Sequence, residues 1–114
     1  MPSYTPPAAT IPRLAVITYA TPLALSAADG SHQQITLTGN LTISGITGLA
    51  DTQTLVLYLI QGGAGSYTVT WPTIVWAGGI APTLTTTVGR MDRIAITRNG
   101  DDLLGAVVTL DHAI

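Results

Sequence analysis

The chain has 114 residues and a mass of 11.8 kDa, which suits a single domain. It contains no cysteine, which excludes a disulfide framework and a thiolate metal site. Charged residues make up 9% of the chain, against about 25% in an ordinary soluble domain. The net charge of −2 provides no basic surface for nucleic acid, and no run approaches the ~20 apolar residues that span a bilayer.

The low charge is itself informative, because a monomer normally keeps its surface soluble with many more charged side chains. The sequence has four arginines and six aspartates, and neither lysine nor glutamate. We interpret this composition as that of a protein whose surface is largely covered by other subunits. The alternative is a monomer that is solvated by its many threonine, serine, glutamine and asparagine side chains.

Residues 1–13 contain four prolines and show no apolar periodicity. Proline lacks a backbone N–H donor, so this segment is not expected to form a helix or a central strand. We predict an extended N-terminal arm, which is either disordered or laid along a neighbouring subunit. Its candidate contact residues are Tyr4, Pro6, Pro7, Ile11 and Pro12.

Residues 14–114 form a series of short β-type runs separated by Gly, Pro, Asn and Asp, which is typical of a β-sandwich or barrel. We predict an all-β, antiparallel, jelly-roll-like β-sandwich with almost no helix, since β-branched residues dominate and no 3.6-residue apolar stripe is present. The predicted strands are Leu14–Tyr19, Leu23–Ala27, Gln34–Thr38, Leu41–Ser44, Leu55–Ile60, Tyr67–Trp71, Ile74–Trp76, Thr83–Val88, Arg93–Arg98 and Leu103–Leu110.

Local patterns add detail to this prediction. Ile35, Leu37, Leu41 and Ile43 alternate with polar residues, so their side chains are expected to share one face. The apolar run 55–60 predicts a strand that is buried on both faces or runs through the middle of the fold. The glycine-rich segment 62–66 predicts a hairpin loop, and Asn99-Gly100 is the strongest hairpin signal in the chain.

No motif indicates catalysis, a cofactor or a metal. His32 lies close to Asp29 and Ser31, and a small hydrolase that uses His32 is the weakest of our hypotheses, because this segment is typical of a loop between strands. A zinc site needs three or four ligands, and the chain has only two histidines and no cysteine. The glycine-rich segment lacks the lysine and the following helix of a phosphate-binding loop. We therefore expect a protein that is not an enzyme.

The two tryptophans, Trp71 and Trp76, have two possible roles. Exposed tryptophans on a β scaffold can stack on sugar rings, whereas buried ones pack in a core or an interface. We favour packing over glycan binding. The chain has no glutamate, and no carboxylate lies beside the tryptophans in the sequence, so nothing indicates glycoside hydrolysis.

The second half of the chain resembles a segment that is common in bacteriophage structural proteins. In that pattern a strand ending in Trp-Pro leads to a Gly-Gly turn, a Pro-Thr-Leu strand and a Gly-x-x-Asp-x-Ile strand. The matching segments lie within residues 55–108, and they are Tyr67–Pro72, Val75–Gly79, Ala81–Thr85 and Val88–Ile94. The resemblance implies a compact β domain of a phage particle that commonly assembles as a trimer.

The resemblance covers both head and tail proteins, and two functions follow from it. The first is a capsid decoration, or cement, protein that binds the major capsid protein on the outside of the head as a homotrimer. The alternative is a tail-fibre or tail-tip module that contacts a host glycan or protein. The absence of a coiled coil or fibrous shaft and the proline-rich arm favour the first function.

Charged residues are concentrated around one predicted strand. They are expected either to pair across a subunit boundary or to face solvent, and arginine suits such contacts because its planar guanidinium binds carboxylates through two hydrogen bonds. The candidate subunit-interface residues are Arg90, Asp92, Arg93 and Arg98.

Overall fold

The fold was obtained as a computed structural model, which describes residues 14–114. This part of the chain is mainly β, with strands over 54% of its residues and two single-turn 3₁₀ helices, Ala27–Asp29 and Ala77–Gly79. The expectation of almost no helix is confirmed. The strands are β1 (Leu14–Ile17), β2 (Leu23–Ser26), β3 (His32–Leu37), β4 (Leu41–Thr47), β5 (Thr54–Gln61), β6 (Val69–Thr70), β7 (Val75–Trp76), β8 (Arg90–Asn99) and β9 (Asp102–Ala113).

The strands form two sheets, one of six strands in the order β1-β3-β5-β8-β9-β7 and one of three in the order β2-β4-β6. From β1 to β6 the chain alternates between the two sheets, so that it winds as a coil. Each of the strands β3 to β6 pairs in parallel with the strand two before it, which lies in the same sheet. A long antiparallel hairpin, β8–β9, then extends the larger sheet.

The predicted antiparallel arrangement is wrong, because five of the seven strand pairs are parallel. The hairpin expected at residues 62–66 is also wrong: β6 pairs with β4 in the other sheet and not with β5. Instead the loop packs over the end of β3, where the Gly62 N–H donates to the Leu37 carbonyl oxygen at 2.9 Å. A Cβ on Gly62 would lie 2.8 Å from that oxygen, so glycine permits this close approach.

Two other predictions are confirmed. Strand β5 lies in the middle of the larger sheet, between β3 and β8. The β8–β9 hairpin turns at Gly100 and Asp101, with Asn99 paired to Asp102. Gly100 has a φ of 62°, a left-handed conformation that glycine adopts without strain. The segment Thr83–Val88, in contrast, was predicted as a strand and forms none.

The core lies between the two sheets and is built by alternation along the strands. Ile35 and Leu37 of β3 and Leu41 and Ile43 of β4 are all buried, as the alternation predicted. The full set of buried hydrophobic residues is Leu25, Ile35, Leu37, Leu41, Ile43, Leu49, Leu55, Leu57, Leu59, Ile94 and Ile96. Side chains at alternate positions in the larger sheet therefore face away from the core.

The short strand β7 is held against β9 by a tryptophan that packs on a glycine. Trp76 pairs with Gly105, which is buried. A Cβ on Gly105 would lie 2.5 Å from two carbon atoms of the Trp76 ring and 2.7 Å from Cγ2 of Ile74. Only the absence of a side chain at residue 105 lets the indole lie directly on the sheet.

We expect Gly105→Ala to push Trp76 off β9 and to lower the free energy of unfolding by about 1–3 kcal/mol, as overpacking does elsewhere. Urea denaturation measures the loss. Because the chain has two tryptophans, which contact each other, the near-UV circular dichroism signal should weaken as well. Gly45→Ala is the control, since a Cβ there has nothing within 4 Å. Equal stability of the two variants would contradict this account.

Candidate assembly surface

One side of the six-stranded sheet faces away from the core. We call it the outer face. It is defined by the strand residues that are aligned by the register on this side, namely Leu14, Val16, His32, Gln34, Thr36, Thr54, Val56, Tyr58, Ile60, Met91, Arg93, Ala95, Thr97, Leu104, Ala106, Thr109 and His112.

The outer face carries no carboxylate, and its one formally charged residue is Arg93. Its polar groups bond with one another. The Arg93 Nε donates to the Thr109 hydroxyl at 2.9 Å, and Nδ1 of His32 lies 2.8 Å from the Tyr58 hydroxyl. The remainder is mostly aliphatic, and a shallow depression of about 420 Å³ lies where Leu104 and Ala106 meet β7.

Apart from Arg93 and Asp92, the charged residues of the described chain lie at the two ends of the six-stranded sheet. Four carboxylates, those of Asp29, Asp51, Asp101 and Asp102, lie at the end where β3, β5 and β9 begin, together with Arg98. At the opposite end Arg90 forms an ion pair with Asp111, with 3.3 Å between Nη1 and Oδ1. The broad face between the two ends is therefore almost uncharged.

The four charged residues predicted as one interface patch do not lie together. Arg90 and Arg98 are near opposite ends of β8, about 26 Å apart at the usual rise of a strand. Arg98 donates to two backbone carbonyl oxygens, those of Leu49 and Gly100. Arg93 lies on the outer face, whereas Asp92, the next residue, points into the protein.

Asp92 is corrected from a candidate interface residue to an internal one. It is 2% exposed, and its carboxylate accepts three hydrogen bonds from its own chain. Thr85 donates through its backbone N–H (2.7 Å) and its hydroxyl (2.8 Å), and the Asp111 N–H donates at 2.9 Å. The carboxylate thus holds the irregular segment before β8 and the bulged end of β9, and it is not available to a second subunit.

The two tryptophans are half-buried and contact each other edge to face, with ring centroids 5.0 Å apart. Both pack against the hydrophobic core. Both side chains thus make the packing contacts that we favoured for them in the sequence.

The remaining candidates offer little chemistry. His32 is the first residue of β3 and bonds to Tyr58. Residues 14–114 contain no group of three or more side chains able to hold a metal ion, and no helix in that range is long and apolar enough to cross a membrane. The arm residues Tyr4, Pro6, Pro7, Ile11 and Pro12 lie outside the described residues.

Searches of protein families, curated proteins and solved structures find no match to this chain.

Sequence reasoning missed one feature of this surface, the aliphatic residues at the margins of the sheet. Val16 is 73% exposed on β1, and Val107, Val108 and Leu110 are between 42% and 45% exposed on β9. A signal was present, since the run Ala106–Leu110 does not alternate as a half-buried strand should.

We expect Asp92→Asn to lower the free energy of unfolding by about 1–3 kcal/mol, because an amide has one acceptor oxygen for three donors and leaves at least one buried N–H unpaired. Urea denaturation of the variant measures this loss. Asp29→Asn is the matched control, as Asp29 is exposed and should tolerate the change. An Asp92 variant as stable as the control would show that the carboxylate does not hold these segments together.

Proposed function

We propose that this protein is a structural component of a bacteriophage particle, a decoration protein that binds the outside of the head as a homotrimer and stabilises the shell through contacts with the major capsid protein. The observation that carries the proposal is the outer face, which is broad, nearly uncharged and free of carboxylates, with apolar residues at about half of its positions. Such a surface is typical of a face that a partner covers.

The strand directions support a covered outer face. In the six-stranded sheet every strand except β8 runs in the same direction. Mostly parallel sheets usually have both faces covered, and here the smaller sheet and the core cover one face. We further propose that the two sheets act as the layers of a sandwich whose open layer is completed by assembly.

The proposed mechanism is stabilisation by mass action. A protein that binds the assembled shell and not its free subunits stabilises the shell by RT ln(1 + [L]/Kd) for each site, and many sites add. Arg93 is suited to a carboxylate of the capsid protein, because it is the outer face's one cation. The N-terminal arm, with Tyr4 and Ile11, is the second proposed contact with the capsid.

Quantifying this chain in purified particles tests the location. We expect copy numbers in the hundreds, with the protein on the head in immunogold micrographs. A handful of copies at the tail would instead support the tail-fibre or tail-tip alternative. Absence from the particle would overturn both.

A surface variant tests the contact itself. We expect Thr36→Glu to weaken binding to undecorated shells by at least about tenfold, because a buried, unpaired carboxylate costs several kcal/mol. Thr36 is exposed on the outer face of β3. Thr42→Glu is the matched control, because Thr42 is exposed on a strand of the smaller sheet. Co-sedimentation with undecorated shells measures the binding of each variant. Equal binding by the two variants would show that the outer face is not the contact.

A further inference from the structure

The six-stranded sheet ends in two open margins. At one margin, among the described residues, β1 pairs only with β3. At the other, β7 pairs with β9 at Leu104 and Gly105, and the 3₁₀ helix Ala77–Gly79 that follows it also contacts β9. From Ala106 onward no strand of the described chain pairs with that side of β9. Each margin leaves backbone N–H and C=O groups directed outward, ready to pair with another strand.

The margin on β9 lacks most of the features that protect exposed edges in other proteins, such as proline, lysine or extreme shortness. Residues Ala106–Leu110 include no charge and no proline, and Val107, Val108 and Leu110 are all more than 40% exposed. The edges of the smaller sheet differ, since β2 follows Pro22 and β6 has two residues and ends just before Trp71-Pro72. An uncharged aliphatic edge of this kind favours addition of a strand.

Strand β1 of a second copy fits this edge. It has four residues against the five of Ala106–Leu110, and that edge carries a register shift near Val108. Its side chains Leu14 and Val16 are 48% and 73% exposed. Pairing would therefore bury aliphatic residues on both partners.

Parallel addition fits the strand directions. Strands β1 and β9 run in the same direction, so both begin at the same end of the sheet. A neighbouring β1 that adds to β9 in parallel therefore continues the sheet with the subunits in the same orientation.

We propose that β1 of one copy adds in parallel to the Ala106–Leu110 edge of the next, so that subunits join head to tail and close into a ring. The inference rests on the proposed homo-oligomer and names its interface. A two-fold pairing of β9 with β9 would leave Leu14 and Val16 exposed, whereas the head-to-tail contact covers both margins. A head-to-tail contact closes into a ring when its rotation allows, and the proposed homotrimer is such a ring.

The absence of native cysteine allows a direct test. Val16→Cys and Val108→Cys are made separately, mixed in denaturant, refolded together and treated with a short bismaleimide, which tolerates small shifts in register. We expect cross-linked dimers in the mixture and not with either variant alone, and a covalent trimer from the double variant. The control is Ser44→Cys, because Ser44 is exposed on β4 of the smaller sheet. It is mixed with Val16→Cys or with Val108→Cys, and neither mixture should give a cross-linked dimer. Circular dichroism verifies that each variant is folded.

The possible outcomes are distinct. Cross-linking of Val108→Cys with itself would establish the two-fold arrangement and overturn the head-to-tail contact. No cross-link in any combination would overturn the edges as an interface. Because the assay uses purified protein, its failure is separable from that of the proposed function, which depends on the copy number in particles.

A charged edge provides a second measurement. We expect Val108→Lys to convert the oligomer to a folded monomer in sedimentation analysis, because a buried, unpaired ammonium opposes strand addition. Ser44→Lys should leave the mass unchanged. If the two variants have the same oligomeric mass, the β9 edge is not the contact.

Discussion

The fold depends on the stacking of aliphatic side chains between two sheets that the chain visits in turn. The register aligns Leu57 with Ile94 and Leu55 with Ile96, so the buried side chains of adjacent strands form continuous rows. A slip of one residue in any strand would turn its apolar residues outward, which fixes the register strongly. The same alternation carries Asp92 into the core in line with Leu59, and three donated hydrogen bonds are what make a carboxylate tolerable there.

Each crossing between the sheets needs a loop, and buried glutamines hold two of these loops in place, the one between β2 and β3 and the one between β5 and β6. Gln33 donates from its side-chain amide to the carbonyl oxygens of Ser26 and Gly30. The side chain of Gln61 both donates to the Tyr67 carbonyl oxygen and accepts from the Tyr67 N–H, and so closes the glycine-rich loop. Side-chain amides thus replace backbone partners where the chain leaves a sheet, which keeps the buried loop groups paired.

Much of this fold was predictable because period-two alternation marks strands regardless of their direction. The central β5 and the Asn99-Gly100 hairpin followed from local signals. The parallel direction of the strands did not follow from local signals, because successive turns of the coil differ in length. Leu14 and His32 are 18 residues apart, whereas His32 and Val56 are 24 residues apart. No fixed repeat was therefore visible. The assignment of Asp92 and Arg93 to one interface patch was avoidable. Asp92 lies two and four residues before Ile94 and Ile96, so it faces the core with them, and the adjacent Arg93 faces the opposite side of the strand.

The distribution of charge connects the fold to assembly. Charged side chains at the two ends of the six-stranded sheet remain in solvent when subunits join side by side through the sheet margins, so lateral association requires almost no desolvation of charge. The outer face is then left as one continuous, nearly uncharged surface across the subunits. If each subunit contributes such a face, the proposed ring presents several copies of the same contact to a repeating shell. The binding energies of these contacts combine, because binding through one contact raises the effective concentration of the next. In the proposed assembly, oligomerisation and attachment to the shell would thus use different parts of the same sheet.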